Sequence, residues 1–154
     1  MNATLTCLAV IALAGACVGQ TAAAAGSPFE QRRTVAEAAG GGHRAKLFLE
    51  IAHDEMEAAN QAFTDGDADK GQKLAADALR DAEQSSDAST KSGKRLKETE
   101  IDLRKLQTRT RDIARSLAID DRPLLEKMVR QIEQLRQSLL DRMFGDKKKE
   151  KQKP

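Results

Sequence analysis

Apolar and small residues recur at alternating steps of three and four along two long stretches in the second half of the chain. This spacing places them on one face of an α-helix. The first stretch contains Leu96, Thr99, Leu103, Leu106, Thr110, Ile113 and Leu117, and the second contains Leu125, Met128, Ile132, Leu135 and Leu139. Because the connection between them is short, we predict an antiparallel helical hairpin over residues 89–144, with Leu106 and Leu135 buried in its contact.

The first half of the chain shows two similar stripes, over residues 44–63 and 67–85. The stripes consist of Leu47, Phe48, Ile51, Ala52, Ala58, Ala59, Ala62 and Phe63, then Gly71, Leu74, Ala75, Ala78, Leu79 and Ala82. Gly66 and Asp67 between them suit a helix end and a helix cap. The Ser and Thr side chains of residues 85–90 compete for backbone hydrogen bonds, so we expect the second helix to end or bend there. The sequence therefore predicts an all-α fold, a small antiparallel bundle of two helical hairpins, 44–85 and 89–144.

Small residues recur at defined positions within residues 52–82. They are Ala59, Gly66, Gly71 and Ala78, with Asp67 and Leu79 beside them. This arrangement resembles a single tetratricopeptide-type helical hairpin, although Glu55 stands where that family has a large aromatic residue. The resemblance implies hairpin geometry and protein partners. It does not imply a peptide groove, because such repeats form grooves from several copies.

Residues 1–25 contain no charged side chain, and an apolar run over residues 5–18 is followed by four alanines. This is the pattern of a secretory signal peptide, with cleavage after Ala23, Ala24 or Ala25. We therefore expect the protein to be exported to the periplasm or the extracellular space. An uncleaved anchor is one alternative.

A membrane-anchored lipoprotein is the other alternative, because residues 14–16 and Cys17 resemble a bacterial lipobox. Cys7 and Cys17 are the two cysteines of the chain, and both lie inside the predicted signal segment. A cleaved chain would contain neither a disulfide nor a thiolate metal site.

Two segments flank the predicted hairpins. Residues 26–43 contain a short predicted helix, 28–39, followed by three glycines, and we expect a flexible arm on a glycine linker. Residues 145–154 contain five lysines and no apolar side chain, so we expect a disordered tail.

Composition limits the function. The chain has 26 basic and 24 acidic residues and only 3% aromatic residues, which gives neither a strong positive field nor a stacking platform for nucleic acid. The serines of residues 85–92 have no histidine near them in sequence, and no glycine-rich phosphate loop precedes a helix. We therefore expect no nucleic-acid binding, no catalytic residues and no cofactor.

Three alternating carboxylates, Asp65, Asp67 and Asp69, have the spacing of the first ligands of a calcium loop. Lys70 stands where that loop needs glycine, and Ala76 stands where it needs a bidentate glutamate. We therefore interpret Asp65 and Asp67 as turn and cap residues.

A second candidate metal set is Glu50, His53 and Glu57, which share one face of the predicted 44–63 helix. They motivate an alternative function, a metal-binding or small-ligand-binding bundle. An ion-paired or solvated role for the three side chains is the simpler interpretation.

The predicted partner surface comprises Leu139, Leu140, Met143 and Phe144. A helix over residues 89–118 would be longer than the first hairpin and would leave this end of the bundle uncovered. Alternatively, these side chains close the core, against Phe29.

The predicted function is a non-enzymatic protein-protein interaction or scaffolding module, with a protein partner or self-association. Membrane contact is expected only through lipidation or the lysine tail.

Overall fold

The helices of the chain are seen in a computed structural model, which describes residues 27–150 and their side chains as far as residue 145. The elements are α1 Pro28–Ala38, α2 Gly41–Thr64, α3 Ala68–Ser92, α4 Leu96–Ser116 and α5 Arg122–Glu150, with a 3₁₀ turn at Ile119–Asp121. Residues 27–150 contain no strand, so the predicted all-α class is confirmed.

No helix in this part of the chain has an apolar stretch long enough to cross a membrane. The predicted signal segment, 1–25, with Cys7 and Cys17, lies outside the described residues.

The helices pack as a bundle in which α2 lies along α3 and α4 lies along α5, with α2 also against α4 and α3 against α5. Glu57 of α2 binds Arg109 of α4, and the start of α2 at Gly42 contacts Arg95, so α2 and α4 run in the same direction. The α2–α3 and α4–α5 connections therefore share one end, which we call the turn end. Leu106 is buried as predicted, while Leu135 packs against the core and is only partly buried.

Helix α3 differs from the prediction, because it continues through residues 85–90 to Ser92. Ser85 donates to the carbonyl oxygen of Ala45 at 2.7 Å, and Ser89 shares a 2.7 Å hydrogen bond with Thr99. These buried hydroxyls bond to neighbouring helices, so they do not break their own helix. As a result α4 has 21 residues against 25 for α3, and the predicted overhang of a helix from residue 89 is wrong.

Helix α1 also differs from the expected flexible arm. It packs on α2, where Ala36 forms a small buried cluster with Phe48 and Ile51. Two of the three glycines belong to α2 itself. A Cβ at Gly42 would lie 3.0 Å from Cγ of Arg95, so α2 begins in close contact with the α3–α4 connection.

Helix α5 does not end at Gly145, and its backbone is helical as far as Glu150. Residues 145–150 are therefore not the disordered segment that the lysine-rich sequence predicted. Residues 151–154 lie outside the described part of the chain.

Candidate functional site

The end of α5 extends beyond the helix that it packs on. Arg136 binds Glu100 at 2.8 Å, and Gln107 binds the carbonyl oxygen of Val129 at 3.2 Å, which fixes the antiparallel register. In this register Leu96, the first residue of α4, lies opposite residue 140. The part of α5 after residue 140 therefore runs about 15 Å past α4, at 1.5 Å rise per residue.

The four predicted partner residues have different environments in this segment. Leu139 is fully buried and belongs to the core, as the alternative interpretation proposed for all four. Leu140 and Met143 are partly buried, and Phe144 is 58% exposed. Phe29, the expected core partner, packs instead on the cluster around Phe48. Leu140, Met143 and Phe144 have the i, i+3, i+4 spacing of one helix face, and we call these three residues the α5 tip.

A polar network holds α5 in this register. Arg136 donates to Oε1 of Glu100, to Oε1 of Gln107 at 2.7 Å and to Oε2 of Glu133 at 2.8 Å. Burial acts to raise the pKa of Glu100, but hydrogen bonds from Arg104 and Arg136 outweigh it and lower that pKa below its usual range. Glu100 is therefore ionised at neutral pH, and its contact with Arg136 helps to fix the position from which the α5 tip extends.

A buried ionic cluster, which sequence reasoning missed, joins α1 to the bundle. Arg33 is 7% exposed, and its Nε donates to Asp81 of α3 at 2.8 Å. Its Nη2 donates to Glu55 of α2, and its Nη1 donates to Glu30 at 2.5 Å. We call these four residues the Arg33 cluster. One guanidinium thus connects three helices.

The cluster holds more acidic groups than basic ones, so its protonation is shifted. Glu55 is 1% exposed, and its Oε2 has no hydrogen-bond partner. Burial and, next, the charge of Asp81 raise the pKa of Glu55, the charge of Arg33 lowers it, and together these effects bring it to about 8. Burial also raises the pKa of Asp81. With a pKa of about 8, Glu55 is protonated at neutral pH, which reduces the excess of negative charge around Arg33.

A sequence signal for this cluster existed in the apolar stripes. Glu55 lies three residues after Ala52, and Asp81 lies three residues after Ala78, so both carboxyls fall on buried helix faces. A buried carboxyl needs a hydrogen-bonding or cationic partner. Nothing in the spacing, however, identifies Arg33 as that partner.

The candidate metal ligands are not brought together. Glu50 pairs with Lys46 at 3.4 Å, and Glu57 pairs with Arg109 at 2.6 Å. His53 is half-buried between them, and burial lowers its pKa. Among residues 27–145 no group of three His, Cys, Asp or Glu side chains is placed to hold a metal ion.

The aspartates of the α2–α3 turn act as turn and cap residues, as predicted. Asp67 accepts a hydrogen bond from the backbone N–H of Lys70 at 3.1 Å and caps α3. Asp65 accepts from the Gln61 amide at 2.8 Å. Both carboxylates therefore have local protein donors.

Comparison of the chain with protein-family models, curated proteins and solved structures finds no match in any of the three. The function is therefore inferred from the residues of this chain.

Proposed function

We propose that the protein is an exported, non-enzymatic helical module that binds a protein partner through the α5 tip. The observation that supports this most directly is Phe144, a large aromatic side chain that is 58% exposed on a helix extending past its neighbour. Leu140 and Met143 continue the same apolar face toward the bundle. Aromatic and methionine side chains of this kind are enriched at protein interfaces.

The partner that best fits this shape is a protein with an apolar groove. A stable interface buries about 800 Å² on each side, which is more than three partly exposed side chains give on a flat surface. A groove surrounds a helix and buries several of its faces, with anchors at the i, i+3, i+4 spacing of the α5 tip. Because residues 145–154 contain five lysines and two acidic residues, an acidic rim on that groove would improve the electrostatic match.

Export is supported by the sequence pattern of residues 1–25. Cleavage after Ala25 leaves a mature chain that starts at Gly26, two residues before α1. The N-terminal mass of the protein recovered from outside the cytoplasm tests this. We expect a start at Gly26 or within a few residues of it, and an intact Met1 or a lipid-modified Cys17 would contradict cleavage.

The partner surface is tested with Phe144→Ser and a matched control, Ile119→Ser. Ile119 is 77% exposed at the turn end, so both changes remove an exposed apolar side chain. The partner is captured from the native organism with the wild-type protein and purified, and its affinity is then measured by calorimetry. We expect Phe144→Ser to weaken binding at least about tenfold, as loss of an aromatic anchor does, and Ile119→Ser to leave it unchanged.

One result would count against this surface, and another would change its occupant. Equal affinities for the two variants would place the contact elsewhere on the bundle. A wild-type protein that forms dimers, and that becomes monomeric only in Phe144→Ser, would identify the occupant as a second copy.

A further inference from the structure

Four arginines line one pocket at the turn end, between the second half of α4 and the first half of α5. The pocket has a volume of about 270 Å³ and is lined by Arg111, Ala114, Arg115, Arg122, Glu126, Val129 and Arg130. We call it the arginine pocket. With one glutamate among four arginines, its lining has a formal excess of three positive charges.

The positive charges of this pocket are poorly neutralised by the protein. Within residues 27–145, Arg111 and Arg130 form no ion pair or hydrogen bond with another side chain. Arg115 has one distant contact, 3.8 Å to Asp112, and its side chain is largely exposed. Like charges around one cavity repel each other, so an anion between them would be stabilised.

One arginine of the pocket is fixed before any ligand arrives. Arg122 donates from Nε to the carbonyl oxygen of Leu117 at 2.9 Å and from Nη2 to that of Arg115 at 3.5 Å. These bonds hold its guanidinium against the C-terminus of α4. Ala114 is buried and Val129 is half-buried, so the pocket also has an apolar wall.

We propose that the arginine pocket binds a phosphate group, either on a small soluble ion or on a lipid headgroup. The planar guanidinium matches the oxygens of phosphate in bidentate pairs, and arginine is the residue most used for this recognition. Pockets for larger organic ligands range from about 300 to 1,000 Å³, so this smaller one suits a compact anion.

The position of the pocket makes both sources of phosphate worth testing. Ser27, where the described chain begins, lies beside Lys70 and Leu74 near the start of α3, which is also at the turn end. In the lipoprotein alternative, the chain would enter the bundle toward the same end as the arginine pocket. The α5 tip is at the opposite end of the bundle, so phosphate binding does not depend on the proposed protein contact.

The test compares Arg111→Gln, Arg130→Gln with a matched double variant, Lys97→Gln, Lys127→Gln. Both double variants remove two positive charges from exposed positions, but Lys97 and Lys127 lie outside the pocket. Full-length chains are expressed and the processed proteins purified. Binding of sodium diphosphate is measured by NMR titration at constant ionic strength. Co-sedimentation is measured with phosphatidylglycerol-containing vesicles and with phosphatidylcholine vesicles.

We expect the arginine double variant to bind at least about tenfold more weakly than the lysine double variant, because each lost guanidinium removes charge-assisted hydrogen bonds. If diphosphate binds, and binds more weakly to the arginine double variant than to the lysine double variant, the ligand is a soluble phosphate. If the protein binds only phosphatidylglycerol vesicles, the ligand is a lipid headgroup. The proposal is overturned if wild-type protein binds neither probe, or if the two double variants bind equally well, which would show a response to net charge only.

Discussion

Replacing Arg33 by methionine removes the positive charge that joins α1 to α2 and α3. Methionine has a similar reach but no charge, so Asp81, which is 1% exposed, loses its cationic partner. Breaking a buried ion pair in this way costs about 3–5 kcal/mol. Glu55 is already neutral below its pKa of about 8, so only one buried charge loses its partner. We therefore expect a loss of about 3 kcal/mol, at the lower end of that range.

The matched control is Arg32→Met, on the same helix and one residue away. Arg32 also forms an ion pair, with Asp54 at 2.5 Å, but its side chain is 42% exposed. Exposed pairs contribute about 0–1 kcal/mol. Urea unfolding followed by circular dichroism gives the free energy of both variants at neutral pH. Amide hydrogen exchange then shows whether Arg33→Met first releases α1.

Equal losses in Arg33→Met and Arg32→Met would refute the reasoning, because they would show that the Arg33 cluster is not buried. That result would support the sequence-based prediction that residues 26–43 form a flexible arm. A large loss restricted to Arg33→Met, with faster exchange in α1, is the expected outcome.

Three further predictions concern pH and packing. Because the pKa of Glu55 rises from 4.5 to about 8 on folding, its contribution to stability is fully present below pH 4.5 and is lost as the pH rises through about 8. Glu55→Gln cannot ionise, so its melting temperature should fall less over this interval than that of the wild type. Leu106→Ala should cost about 2–5 kcal/mol in urea unfolding, because Leu106 is fully buried, and a loss below about 1 kcal/mol would contradict its position. Gly71→Ala should cost about 1–3 kcal/mol, since its Cβ would lie 2.7 Å from the Phe63 ring, whereas Gly145→Ala, with open space around it, should cost nothing measurable.

The hydrophobic pattern predicted the long helices well where the buried residues are apolar and recur at helical spacing. The stripe that contains Leu106 lies in α4 and packs in the core that α4 shares with α5. Large apolar side chains at helical spacing share one face of the helix, and packing that face against other helices removes it from water. The pattern failed where buried groups are polar. Ser85 and Ser89 have weak helix propensity, but their hydroxyls bond to Ala45 and Thr99 on other helices, and local reasoning does not include such contacts.

The attachment of α1 was missed for a related reason. Counting apolar side chains in residues 28–39 gives little area to bury, so a loose arm was the natural expectation. The structure instead attaches α1 through Arg33, whose partners Glu55 and Asp81 are distant in sequence. Of the four predicted partner residues, Leu139 belongs to the core and Phe144 is exposed, and their role in binding stays a prediction. Leu139 belongs to the apolar stripe and Phe144 follows it; how far α5 extends past α4 depends on the register between the two helices, which the stripe does not fix.

The most direct test of the α5 tip as a partner surface is photo-crosslinking in the native cells. Benzoyl-phenylalanine is placed at residue 144, where it keeps an aromatic ring, and in a separate variant at residue 119 as the exposed control. We predict a discrete crosslink to one other protein from position 144 and none from position 119. Equal crosslinking at the two positions, or crosslinking from position 119 alone, would contradict the proposal that this protein binds its partner through the end of α5.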